Sequence, residues 1–336
     1  MICGHLLKIF GGDIVIYPSP LRYPGGKKKL ANFISDAIIL NDIQGGTYIE
    51  PFAGGSNVAL FLLFQEQVSK IVINDVDRSI YAFWHSVIYN TDKLCERIIE
   101  TQITIQEWEK QKEIQRDKEK ANLLDLGFST FFLNRTNRSG IINAGPIGGK
   151  KQNGNWKIDV RFNKDDLINR IKKIALYESR INLYNKDAIA LINEIISELD
   201  EHCLIYFDPP YLTAKSDNDY VRRYHFVEGL IKNWQGVEID FSTKTKKFKK
   251  YPSPFDSKST VNEALDRLFY KFQKSILVVS YSSNSIPSKE EMIEILGQYK
   301  THVELREIDY KYSFGNQNHK IEDNSNNVKE YLFIAT

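Results

Sequence analysis

The stretch that most constrains the fold runs from residue 47 to residue 77, where the hydrophobic pattern changes character several times. Thr47 to Glu50 reads as a short strand, and residues 51–56 (PFAGGS) read as a tight turn. Residues 57–65 form an apolar helical run. Residues 71–73 (IVI) are β-rich and end at Asn74-Asp75, after which Asp77 starts another helix. Strand, glycine turn, helix and a second strand ending in an acid make a βαβ unit, which requires a parallel sheet.

The rest of the chain extends this alternation. An amphipathic pattern covers residues 30–40, and residues 91–120 are charged and helical. Residues 128–133 are apolar and lead into a loop rich in Asn, Arg, Gly and Lys at 134–155. Residues 181–183 read as a strand and 187–199 as a helix. Residues 203–207 (CLIYF) are a buried-strand run that stops at Asp208-Pro209-Pro210-Tyr211. Residues 215–260 are polar and basic, with Pro252 and Pro254, and read as an insertion or flexible flank. Residues 276–280 and 330–334 supply further strands. The fold class is α/β.

Composition narrows the function. With 336 residues, at roughly 150 per domain, the chain holds about two domains or one carrying an inserted module. A hydrophobic share of 42% can build a full core, which excludes a disordered or fibrous chain. The apolar run at 58–64 is too short to cross a bilayer, and the first 17 residues lack the pattern of a secretion signal. Three cysteines without CxxC spacing argue against a disulfide framework or a zinc site, so the expected location is cytoplasmic. The six histidines show no ligand spacing, and no metal is expected. A net charge of +2 gives no global pull toward nucleic acid, so such binding must come from local patches.

Three segments carry candidate chemistry. Asp208-Pro209-Pro210-Tyr211 lies at the carboxyl end of a strand, where open α/β sheets place ligands. The prolines remove backbone donors and present rigid carbonyls, the acid adds an acceptor, and the tyrosine adds a flat ring. Such a group suits a planar base with an exocyclic amino group; the alternative is a strand end with a Pro-Pro stop. The turn at 50–56 lets backbone approach a ligand, and its helix N-terminus favours polar or anionic groups. It lacks GxGxxG, so a nicotinamide dinucleotide is not indicated. Asp75, at the next strand end, is placed to hold ribose hydroxyls. Residues 22–27 (RYPGGK) are either a turn or a loop closing over a cofactor, with Lys27 near its carboxylate. Asp187 reads most simply as a helix N-cap. Asn134, Arg135, Asn137 and Arg138 are of the types that pair with base edges, or else solubilise a loop. Residues 244–250 (KTKKFKK) carry five lysines, either a solvated run or a phosphate-neutralising patch.

In order and content, RYPGGK, EPFAGGS, IVIND, FFLNR with its Asn/Arg/Gly loop, and DPPY resemble the DNA adenine methylase (Dam) family. The resemblance covers residues 18–212 and resumes at 276–283 and 310–334. It implies a Rossmann-like S-adenosylmethionine-dependent methyltransferase fold: a mostly parallel sheet, helices on both faces, and a mainly helical target-recognition insert. The catalytic domain would comprise residues 18–90 and 181–336, interrupted by a recognition domain at 91–180, with a basic insertion at 215–260. S-adenosylmethionine would sit against Tyr23, Lys27, Phe52, Ala53, Gly54 and Asp75, with Asp187 toward its adenine. Asp208, Pro209, Pro210 and Tyr211 would hold the target adenine. Asn134, Arg135, Asn137 and Arg138 would probe double-stranded DNA. The loop reads TNRSGIINAGPIGG rather than the family's YNGxxRYN, so no GATC target carries over. The implied activity is N6 methylation of adenine after base flipping, with a cognate restriction nuclease as one partner such a chain can have. The competing expectations are an RNA or other amino-group methyltransferase of the same fold, and a nucleic-acid-binding module without turnover.

Overall fold

The computed structural model describes residues 18–22, 28–209, 212–213, 239–240, 247–248, 260–311 and 327–336. Tyr23, Lys27, Pro210, Tyr211 and nearly all of 215–260 lie outside the described residues.

Seven strands form one sheet: β1 (Thr47–Glu50), β2 (Lys70–Asn74), β3 (Ile181–Tyr184), β4 (Cys203–Phe207), β5 (Ile276–Ser282), β6 (Val303–Lys311) and β7 (Asn327–Ala335). Their spatial order is β6-β7-β5-β4-β1-β2-β3. Strands β1 to β5 pair in parallel, and β7 inserts antiparallel between β5 and β6. The chain winds from β1 outward through β2 and β3, then returns to place β4 on the other side of β1. The order therefore reverses between β1 and β4, which opens a crevice at the carboxyl ends of those strands.

Side-chain alternation divides the sheet's two faces. Tyr48, Ile71, Ile73, Leu204, Tyr206, Ile276, Val278, Leu332 and Ile334 face one core; Ile49, Val72, Ile205, Phe207, Leu277, Val279 and Phe333 face the other. Both faces are covered, which is why β4 and β5 are buried along their length rather than alternating. Three helices cover the second face: α8 (Ala188–Ile195), α9 (Val261–Lys271) and α10 (Lys289–Gly297). There the Phe207 ring meets Phe269 and Phe272 edge-on at 5.6 and 5.5 Å.

The first face is thicker. Helix α1 (Lys28–Leu40) buries Leu30, Ile34, Ala37 and Ile38 at helical spacing. Helices α2 (Asn57–Phe64) and α3 (Arg78–Tyr89) join it. Over them lie α4 (Thr91–Glu100), α5 (Ile105–Arg116), α6 (Leu123–Thr136) and α7 (Lys164–Ala175). Their Leu94, Ile98, Trp108, Phe128, Phe131, Leu167 and Ile171 belong to the same core as the sheet face. The helical segment expected at 91–180 is thus a layer continuous with the sheet's packing.

Its middle helix, α6, is buried from Leu126 through Asn134. It crosses α3 closely enough that a Cβ on Gly127 would lie 2.3 Å from Ser86 Oγ and 2.4 Å from the Ala82 carbonyl. The loop expected to begin at 134 is corrected here: Asn134, Arg135 and Thr136 form the last turn of α6. Helix continues because Leu133 and Thr136 still face the core, and the buried Thr130 and Thr136 hydroxyls are satisfied by the Leu126 and Phe132 carbonyls.

Candidate active site

The carboxyl end of the sheet is where the first face changes from apolar to polar. Along β1 the inward series runs Tyr48 then Glu50; along β4, Tyr206 then Asp208; along β5, Val278 then Ser280. The same period of two that builds the core therefore brings a carboxylate and a hydroxyl to adjacent strand tips.

Asp208 is held by a relay of hydroxyls. The Tyr206 hydroxyl donates to Ser280 Oγ at 2.9 Å, and Ser280 donates to Asp208 Oδ1 at 3.1 Å. Pro209 is buried behind it. Burial and the negative charge of Asp208 both push the Tyr206 phenol well above its ordinary pKa, so it stays a donor. Glu50, next door, accepts from the Tyr48 hydroxyl at 3.0 Å and from the Ala59 backbone N–H at 3.2 Å. Burial raises its pKa to about 8, against the lowering effect of those two hydrogen bonds and with further lift from Asp208. At neutral pH Glu50 is mostly a neutral acid.

The glycine turn after β1 is fastened at several points. Ala53 N donates to Asn74 O at 2.9 Å, and Trp84 Nε1 donates to Gly54 O at 3.0 Å. Gly54 has φ +48°, a region that favours glycine, and its N–H reaches Asp75 Oδ2 at 3.0 Å. Asp75 Oδ1 accepts from Asp77 N at 2.8 Å. Each carboxylate oxygen thus holds one backbone N–H and keeps a second lone pair. Burial first, and Asp77 second, raise the Asp75 pKa to about 7. Asn74 ties three strand ends together: Nδ2 donates to Pro51 O and Lys186 O, each at 2.9 Å, and Oδ1 accepts from Lys186 N at 2.9 Å.

The structure therefore gathers Phe52, Ala53, Gly54, Asp75, Asp208 and Pro209 at one edge. Asp187 stands at the neighbouring β3 end as the N-cap of α8, accepting from Ile189 N at 2.9 Å and Ala190 N at 3.4 Å.

The four residues expected to probe DNA divide sharply. Asn134 is buried; Oδ1 accepts from Arg22 N at 2.7 Å and Nδ2 donates to Arg22 O at 2.7 Å and Gly140 O at 2.8 Å. Asn137 is buried; Oδ1 accepts from Trp108 Nε1 at 2.6 Å and Nδ2 donates to Ile141 O at 3.0 Å and Ile142 O at 2.7 Å. Both amides are engaged inside the protein, where they brace the ends of α6 and its following loop. Arg135 is half-buried, donating to Arg161 O at 2.8 Å and Pro20 O at 3.4 Å. Burial, with Arg22, Arg170 and Arg161 nearby, lowers its pKa to about 10. Arg138 alone of the four is exposed, as are Lys150, Lys151, Trp156, Lys157 and Arg161 in the segment that follows.

Sequence reading missed Asn74, Tyr206, Ser280 and Trp84 as parts of the site. Tyr206 and Ser280 left a faint signal, since each is a hydroxyl within an otherwise apolar strand. Asn74 and Trp84 left none beyond their place beside the acid and the helix.

The sequence model of the D12 class N6 adenine-specific DNA methyltransferases matches residues 23–295. The chain belongs to this family. The methyltransferase is 24% identical to the type II methyltransferase M.MjaIII of Methanocaldococcus jannaschii, over 72% of this chain and 90% of that one. It is 28% identical to the type II methyltransferase M.FokI of Planomicrobium okeanokoites, over 45% of this chain and 21% of that one. It is 22% identical to the modification methylase LlaI of Lactococcus lactis, over 89% of this chain and 53% of that one. The sheet order and the helices on both faces agree with an α/β methyltransferase fold. The family uses S-adenosylmethionine and acts on adenine N6 in DNA. Among the described residues, no helix is long and apolar enough to cross a membrane.

Proposed function

We propose that the methyltransferase binds S-adenosylmethionine between the 51–56 turn and Asp75, and delivers its methyl group to an adenine extruded from duplex DNA at Asp208-Pro209. The observation that carries this reading is the Tyr206–Ser280–Asp208 relay at the β4 tip, beside a carboxylate with two free lone-pair directions at the β2 tip. Asp75 fits a ribose, whose two adjacent hydroxyls match its two oxygens. Phe52, Ala53 and Gly54 present the turn's backbone to the rest of the ligand; Asp187 flanks the adenine side. By the family resemblance of the first motif, Tyr23 and Lys27 are assigned to the cofactor as well.

The bound cofactor supplies an electrophilic methyl group. The protein's part is alignment, since the amino nitrogen must lie nearly in line with the sulfur–carbon bond. Asp208 accepts one amino hydrogen and the Pro209 carbonyl another. This draws the nitrogen lone pair out of the ring and stabilises the positive charge that develops on nitrogen. Tyr211 stacks on the base, and the cost of unstacking, a few kcal/mol, is met by these contacts and by phosphate contacts. The exposed cations around Arg138 serve the duplex. A role beside a cognate restriction nuclease is supported by the type II and modification methylase names of the relatives.

The test is a single-turnover assay on duplex oligonucleotides with isothermal titration of cofactor. Asp208→Ala abolishes transfer while cofactor affinity stays near that of the parent; Asp75→Ala weakens cofactor affinity. An Asp208→Ala protein with normal turnover refutes the assignment. The target itself comes from expression in a methylation-free host and long-read mapping of modified adenine.

A further inference from the structure

The helical layer sends one charged side chain into the sheet's working edge. Lys118, in the turn after α5, is only 1% exposed, and its Nζ lies 2.9 Å from Asp77 Oδ1. An ammonium so buried is sustained only by a charged partner and good hydrogen bonds. The turn is clipped in place by Arg78, which donates to the Lys118 and Ala121 carbonyls. Asp77 is also the N-cap of α3, accepting from Ser79 N at 2.9 Å. Its own N–H donates to Asp75 Oδ1.

We propose that Lys118 is a positioning residue for cofactor binding: by neutralising Asp77 from the helical layer, it keeps the Asp75 carboxylate available to two hydroxyls. This rests on the ribose reading of Asp75 given above. Two acids two residues apart repel each other, and Asp77 is the charge that most raises Asp75 after burial itself. Lys118 is the cation that pulls Asp75 down. Among the described residues, the other charges close by are engaged elsewhere: Arg78 with the turn carbonyls, and Lys186 with Glu194 at 3.0 Å. On the β3 side the Asp75 backbone is fixed, its N–H donating to the Tyr184 carbonyl and its carbonyl accepting from Asn185 Nδ2. Without Lys118, Asp75 is held further above its present value of about 7, so at neutral pH one acceptor oxygen is mostly a hydroxyl.

The experiment is calorimetric titration of the full chain with S-adenosylhomocysteine from pH 6 to pH 9. In the parent, affinity is flat at high pH and falls about tenfold per pH unit below the Asp75 pKa. Lys118→Met moves that break upward by about one unit, so affinity at pH 7 drops about fivefold and recovers by pH 9. Asp77→Asn keeps the helix cap and moves the break downward. The double variant, whose buried pair is neutral, returns the profile toward the parent. A loss for Lys118→Met that is the same at every pH, or no loss, overturns the proposal. Should Lys118→Met not fold, an unmoved break in Asp77→Asn overturns it equally. Asp75→Ala separates the two ideas: undiminished binding there defeats the ribose reading itself, whereas binding lost at all pH values leaves Lys118 to be judged on its own variants.

Discussion

The strand tips and the helical layer both carry asparagines, arginines and acids, yet they use them in opposite ways. At the tips, Asp75 has one backbone N–H on each oxygen among the described residues, and Asp208 accepts a hydroxyl on Oδ1. In the helical layer, Asn134 and Asn137 use three amide hydrogen bonds each to close the fold around residues 22 and 137–142. A polar residue near a ligand site is therefore informative only when its hydrogen-bond capacity is counted. Among the described residues each Asp75 oxygen has a single partner, whereas the interior amides of the helical layer are filled.

Substitutions on each side can break or sharpen this contrast. Asp208→Asn keeps the shape of the side chain but replaces a carboxylate by an amide; methyl transfer should fall about 10²–10³-fold, read in single-turnover assays, with unchanged unfolding midpoint. Asn137→Ala should do the reverse. It strands the Trp108 indole N–H and the Ile141 and Ile142 carbonyls, costing about 3 kcal/mol in urea unfolding, without altering which sequence is methylated. A variant of normal stability but changed specificity would move Asn137 to the other side of the comparison.

Glu50 gives a subtler contrast. Its folded pKa of about 8 lies above its ordinary value of 4.5, so the folded state holds the proton more tightly. The stability this contributes is complete below pH 4.5, declines as pH rises, and is gone above pH 8. Glu50→Gln should flatten that part of the stability profile, measured by urea unfolding at pH 5 and pH 8. The smallest effect belongs to Arg138→Ala: stability within about 0.5 kcal/mol of the parent, but a salt dependence of DNA affinity shallower by about one unit of slope.

The sheet's working edge was legible because each motif there is short and local. CLIYF before Asp208, IVI before Asn74-Asp75 and PFAGGS before an apolar helix each announce a strand end or a turn from their own residues. Asp187 likewise stands where an N-cap acid should. The helical layer was not, because its decisive bonds join residues far apart in the chain. Nothing near Asn134 announces Arg22, 112 positions away, and nothing near Lys118 announces Asp77, 41 positions away. Helix α6 outran its expected end for the same reason, as packing against α3 and α5 outweighs the polar composition of its last turn. Helices α7, α9 and α10 and strand β6 carry no motif, and the alternation alone did not single them out. For Tyr23, Lys27, Pro210 and Tyr211 the assignment rests on sequence.

The single amide of Asn74 has a consequence for how a guest is received. Because it staples the exits of β1, β2 and β3 to one another, those loops cannot loosen one at a time. Little disorder is then left to freeze when a small molecule arrives, which keeps the entropic penalty of capture low. The same staple makes the cradle hard to remodel: reshaping one wall for a different guest would disturb the other two.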